Sequence, residues 1–274
     1  MTGNEKTSIG SFLELTHDFL SGGFRQTHEE FAYTSDSSEN ILTVPEATEP
    51  TKQPVTTGTV SEADQTDSLK ELEKEIASCT RCGLCGSRKN TVPGEGVKEP
   101  LVMVIGEGPG EEEDLSGRPF VGRAGQLLDR MLDSRGKIGL SRNVNCYIAN
   151  ILKCRPPGNR SPQPDEISAC VPFLVRQIKI LRPKMILAAG NTAAKTLLDS
   201  TDGITRLRGT CTFFRGTLLM DGDFDIPLLP TFHPSALLRD ESLKAPVWED
   251  LKTLRNKLCE LDNSYAEHIG TAPI

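Results

Sequence analysis

Between Leu101 and Cys259, short apolar runs and helical periodicities take turns, and this alternation constrains the fold more than any other feature of the chain. "PLVMVIG", "NCYIANIL" and "MILAAG" are unbroken apolar runs of strand length, as strands buried on both faces require. "TCTFFRGTLLM" and "IPLLPTFHP" read as further strands. Between them, "AGQLLDRMLDSRG" is a helix ending at Gly136, and "PDEISACVPFLVRQIKILRP" a long helix closed by Pro183. "NTAAKTLLD" and "APVWEDLKTLRNKLC" complete the set. Strand–helix alternation of this length predicts an α/β fold, a mainly parallel sheet with helices on both faces. Ser68 and Glu71 form a capping box that starts the body with a helix carrying Leu69, Leu72 and Ile76. The expected domain is therefore 68–262, with a tail at 1–67 and a shorter one at 263–274.

The first tail accounts for the net charge of −7: the first 70 residues hold twelve Asp and Glu against four Lys and Arg. The body is close to neutral and free to present a basic face. Residues 35–67 are rich in Ser, Thr, Glu and Pro and hold no aromatics, so they are expected to be disordered. Before them Ile9, Phe12, Leu13, Phe19 and Leu20 fall at roughly helical spacing. That reads either as a marginal helix or as a short segment for an unidentified protein partner. No run of eighteen apolar residues points to a membrane span, and the N-terminus lacks a secretory pattern. The cytoplasm is the expected location, and there eight cysteines suit metal binding or burial better than disulfides.

Ligands of open α/β sheets bind beyond the carboxyl ends of the strands. Three unusual sequences fall at such ends: "GEGPGEEED", Asn150, and "FHPS". "GEGPG" alone is a weak signal, since it matches neither a dinucleotide fingerprint nor a phosphate loop. The segment after it places Phe120 in a Gly- and Arg-rich loop, where a core residue would be poorly supported. His233 follows a buried strand, where an imidazole can donate to a developing anion, although a lone histidine is often structural.

Cys79 and Cys82 in "CTRC" have the spacing that lets two thiolates share one metal or cluster. Cys154 and Cys170 bracket a stiff Pro-rich loop and form the obvious second pair. Two alternatives stand beside this. Cys170 lies on an apolar helix stripe and can be a small core residue, and Cys85 extends "CTRCGLC" into the triple spacing of small ferredoxins. Cys146, Cys211 and Cys259 read as core.

As a set, "GEGPGEEED", "GRPFVGRAGQLLD", "YIANILKCRPPGNRSP" and "HPSALLR" resemble the iron–sulfur uracil-DNA glycosylases of family 4, from about Leu72 to Leu258. The resemblance implies a central, mainly parallel four-stranded sheet and a monomer that removes uracil from single- and double-stranded DNA. It implies a [4Fe–4S] cluster on Cys79, Cys82, Cys154 and Cys170, with Cys85 at a position the family does not require. Phe120 would stack on the extruded uracil and Asn150 would read its Watson–Crick edge. His233 would donate to the leaving base, Glu107 would hold the attacking water, and Glu113 would exclude a C5 methyl. Gly108 would stand where better-known uracil glycosylases carry an aspartate, and the Pro234–Ser235 backbone would grip a flanking phosphate. A related branch that captures uracil-DNA through a histidine in an inserted loop does not fit, because "NRSPQPDE" has no such insertion. The rival of a different class is a non-catalytic iron–sulfur DNA-binding module, such as those attached to phage polymerases.

Overall fold

The computed structural model describes residues 62–133, 137–214 and 225–269, with side chains from Leu69 onward. The residues of the acidic tail before Glu62, including the candidate partner-binding stretch, lie outside the described residues, as does 215–220 of the expected strand "TCTFFRGTLLM".

The centre of the sheet is parallel. β2 (Val102–Gly106), β3 (Cys146–Asn150), β4 (Met185–Ala189) and β6 (Ile226–Thr231) are buried at every position. Two short antiparallel edges, β1 (Glu95–Gly96) on β3 and β5 (Thr212–Phe214) on β6, extend it to six strands in the order β1-β3-β2-β4-β6-β5. The four expected strands are thus the parallel core. β1 escapes apolar patterning because it is two residues long and polar, while β5 lies within the expected strand "TCTFFRGTLLM".

Alternate residues of each strand face opposite layers. Met103, Ile105, Tyr147, Ala149, Ile186 and Ala188 pack under α1 (Glu62–Ala77) and α4 (Pro164–Leu181). Val102, Val104, Ile148, Leu187 and Leu229 pack under α3 (Arg123–Asp133), α7 (Pro234–Arg239) and α8 (Lys244–Leu261). α5 (Asn191–Leu198) and α6 (Ile204–Leu207) pack on the first of these layers, and the short α2 (Glu111–Ser116) follows β2 in the chain.

Two expected boundaries move. α1 begins at Glu62, so Ser68 lies inside the helix and does not cap it; the preceding Glu, Ala and Gln favour helix over a break. The expected C-terminal tail begins with a packed helix, α9 (Asn263–Ile269). Asp262 Oδ1 accepts from Tyr265 N at 2.8 Å and caps it. Tyr265 is buried with its hydroxyl donating to Ile138 O at 2.6 Å, and Lys184 pairs with Asp262. The bond from Lys184, with those from Ser264 and Tyr265, holds the Asp262 carboxyl well below the usual range.

Candidate active site

Strand register brings the carboxyl ends together. Gly106 pairs with Asn150, Ile105 with Ala188, and Ala189 with Thr231. The residues just beyond therefore share one rim, where they surround a cleft of about 790 Å³. Glu107, Gly108, Glu113, Phe120, Asn150, His233 and Ser235 all line it, drawn from sequence positions far apart.

Phe120 and Asn150 form the floor. The Phe120 ring is buried against the core and sits 5.5 Å, centroid to centroid, from the His233 ring. The loop that looked too poor to support a buried aromatic does support one. Asn150 is 2% exposed, and its Oδ1 has no hydrogen-bond partner among the described residues. A buried acceptor left unpaired costs about 1–3 kcal/mol, so it marks a place for an N–H donor from a ligand. Gly106 makes this floor possible: a β-carbon there would lie 2.5 Å from Asn150 Oδ1 and 2.6 Å from the Phe120 ring. Asn150 O accepts from the buried Lys153 Nζ at 2.9 Å, and Lys153 in turn reaches Gln177 Oε1 at 2.7 Å. Burial pushes the Lys153 amine down to about 8.

His233 forms one wall. It is the N-cap of α7, and its Nδ1 accepts from Ser235 N at 3.2 Å, with Ser235 Oγ at 2.9 Å. A ring nitrogen that accepts from a backbone N–H carries a lone pair, so the neutral ring bears its proton on Nε2. Burial first, then the Arg239 cation, pushes the imidazole down to about 4, with Glu113 opposing. His233 is close-packed because Gly190, at φ 99°, leaves room: a β-carbon there would meet His233 Cβ at 2.9 Å.

Glu113 and Ser235 bond to the protein's own groups. Glu113 Oε1 accepts from Val121 N and Gly122 N, both at 2.9 Å, while Oε2 accepts from Gly110 N at 3.0 Å. Its carboxylate is a fixed clip behind the Phe120 turn. Pro234 has no N–H and is buried below the rim, and the Ser235 N–H is taken by His233, so this backbone offers no free donor for a phosphate. What remains at that edge is the Ser235 hydroxyl and Arg239. Glu107 accepts a hydrogen bond from the Thr192 hydroxyl at the start of α5. A β-carbon at Gly108 would make only ordinary contact with Leu152, 3.4 Å away, so space alone does not require glycine there.

Thr192, Gly106, Gly190 and Lys153 were missed as site residues. Gly106 and Gly190 share a legible signal, since each is the glycine closing an apolar strand run. Nothing in the sequence marks Thr192 or Lys153.

On the α1–α4 side of the sheet, Cys79, Cys82, Cys85, Cys154 and Cys170 line one small cavity with Arg81, Arg88 and Lys153. All are free thiols. Three of them already accept hydrogen bonds: Cys79 Sγ from Arg81 N at 3.5 Å, Cys154 Sγ from Arg88 Nη1 at 3.3 Å, and Cys170 Sγ from Lys153 N at 3.2 Å. Among the described residues, no three His, Cys, Asp or Glu side chains converge as holding one metal ion requires. Cys146, Cys211 and Cys259 lie in or against the other core layer.

The family model of the uracil DNA glycosylase superfamily matches residues 93–252. A Type-4 uracil-DNA glycosylase of Sulfurisphaera tokodaii is 41% identical over 193 residues, which is 69% of this chain and 84% of that protein. One from Thermotoga maritima is 42% identical over 194 residues, 69% of this chain and 95% of that protein. A DNA polymerase of Bacillus phage SP01 is 27% identical over 165 residues, 60% of this chain but 16% of the polymerase.

Proposed function

The chain belongs to the uracil DNA glycosylase superfamily, and on that premise we propose that it hydrolyses the N-glycosidic bond of deoxyuridine in single- and double-stranded DNA. The products are free uracil and an abasic site. The observation that carries this reading is the orphaned Asn150 Oδ1 beside the Phe120 ring. Uracil presents an N3–H to such an acceptor, whereas the N3 of cytosine is itself an acceptor and would leave both groups unpaired. An extruded base stacks on Phe120, the usual way a flipped base is held.

The leaving base becomes an anion as the C1′–N1 bond breaks and the electron pair passes to the pyrimidine ring. His233, neutral and protonated at Nε2, donates to the pyrimidine oxygen that gains charge, and a preset donor there needs no reorganisation during reaction. Water adds at C1′, held by the Glu107 carboxylate that Thr192 orients. Glu113, fixed by its three backbone donors, is the rigid wall that a C5 methyl would strike. Arg123, Arg160 and Arg239 line the cleft beside Glu107, Glu111, Glu112 and Glu113; these arginines suit contacts to the DNA backbone, although Arg160 also pairs with Glu166.

The donor set suits a [4Fe–4S] cluster, since five cysteines line one cavity and such clusters are held by four thiolates. Cys79, Cys82, Cys154 and Cys170 are the proposed ligands, tying the end of α1 to the loop after β3 and to α4. When bound, such a cluster supplies a covalent cross-link between these elements and a one-electron redox centre. The N–H groups of Arg81 and Lys153 and the Arg88 guanidinium offset thiolate charge.

The test is to incubate the protein with a uracil-containing oligonucleotide and assay for free uracil and for alkali-labile strand breaks. Both are expected. Binding of the oligonucleotide without release of uracil would reject the reading in favour of a non-catalytic DNA-binding module.

A further inference from the structure

Phe120 is a bulky residue with φ 52°, in the left-handed region that a β-carbon disfavours. The surroundings hold the turn from both sides. Arg142, on the loop before β3, donates from Nη1 to Pro119 O at 2.8 Å and from Nη2 to Phe120 O at 2.9 Å. It is itself held by Asp129 of α3, at 2.8 and 3.0 Å from Nη2, and by Glu95 of β1 at 3.7 Å. Across the turn, Glu113 takes the next two N–H groups. Gly125 admits the turn to α3, since a β-carbon there would lie 1.9 Å from Phe120 O. The Arg142 side chain is only 9% exposed.

We propose that Arg142 is a positioning residue for uracil excision, pinning the Pro119 and Phe120 carbonyls so that the Phe120 ring is preset to receive the extruded base. This rests on the glycosylase reading. A guanidinium suits the task and an ammonium does not. Its planar fork spans two successive carbonyls while its other edge stays on a carboxylate, which a single Lys point charge cannot do. Arg142 is not itself among the residues that line the cleft and, on this account, does not touch the substrate. Its effect must therefore pass through Phe120.

A double-mutant cycle on the full chain tests this with Arg142→Met, Phe120→Ala and the pair. In single-turnover excision at saturating DNA, Arg142→Met is expected to slow uracil release about tenfold, within the range of base–aromatic stacking. In the Phe120→Ala background it should add nothing. Additive losses would overturn the proposal, because they would mean that Arg142 acts elsewhere. A second readout needs no activity: the His233 ring protons feel the Phe120 ring 5.5 Å away. Their NMR shifts in Arg142→Met should move toward those of Phe120→Ala, and unchanged shifts would overturn the proposal. If the wild-type protein releases no uracil while Arg142→Met shows this displacement, the function is rejected and the positioning role stands. If Arg142→Met does not fold, Asp129→Asn decides, since that partner is half exposed. It is expected to give the same displacement at smaller size, and its absence would be equally contrary. Arg142→Lys should keep the fold and recover little of the rate.

Discussion

At Nδ1 of His233 the N–H of Ser235 leaves a lone pair and no proton, and burial keeps the ring neutral down to about pH 4. Two consequences follow at the scale of the residue. His233→Ala should slow single-turnover excision roughly 10²–10³-fold, the usual loss for an oxyanion donor, while barely changing DNA affinity. The wild-type rate should also show no inflection near pH 6.5; a limb there that vanishes in His233→Asn would contradict a neutral donor. For stability, the folded pKa lies below the unfolded one, so the unfolded chain binds more protons between the two. The contribution of His233 is therefore full above about pH 6.5 and lost as pH falls toward 4. Urea titrations across that window should show a shallower loss in His233→Asn. Gly106 makes a separate prediction. Gly106→Ala must push aside either Asn150 or the Phe120 ring, so excision should fall at least about tenfold, while overpacking costs roughly 1–3 kcal/mol of stability in a urea melt.

Among the elements, the strand ends and the cysteine-bearing segments each bring together groups that are distant in sequence. The four parallel strands and their helices were legible because continuous apolar runs alternate with helical periodicity. The rim followed from the rule that ligands bind at strand carboxyl ends. β5 falls within the expected strand "TCTFFRGTLLM", whereas β1 was not legible, since an edge two residues long carries no periodicity. Neither was α9, whose burial depends on Tyr265 reaching Ile138, a contact across 127 positions. Phe120, Asn150 and His233 could be named from sequence, yet what holds them could not. Arg142, Thr192 and Lys153 look like ordinary polar loop or helix residues until the fold brings them to their partners. Nor could the sequence show that backbone N–H groups fix the Glu113 carboxylate, or that His233 takes the Ser235 N–H. For the cysteines, Cys170→Ser should lose the brown absorbance, iron content and several degrees of melting temperature, while Cys85→Ser keeps all three. Iron lost with Cys85→Ser and retained with Cys170→Ser would transfer the fourth ligand to Cys85.

At the largest scale, among the described residues the groups that line the cleft and the cysteine cavity run from Ile76 to Arg239, and the family model matches residues 93–252. Removing residues 1–61 should therefore leave excision unchanged. It should also tighten DNA binding at low salt, because most of the excess negative charge goes with them. Insoluble or inactive protein after this truncation would show that the segment is needed by the domain. The account as a whole stands on a cleft that reads uracil through one unpaired acceptor against one aromatic face. Its most direct test is single-turnover release of the base from matched oligonucleotides carrying uracil, N3-methyluracil, cytosine or thymine. Uracil alone should be released at an appreciable rate: N3-methyluracil lacks the N–H for Asn150, cytosine presents an acceptor to an acceptor, and thymine meets Glu113. Release of N3-methyluracil as fast as uracil would contradict the account.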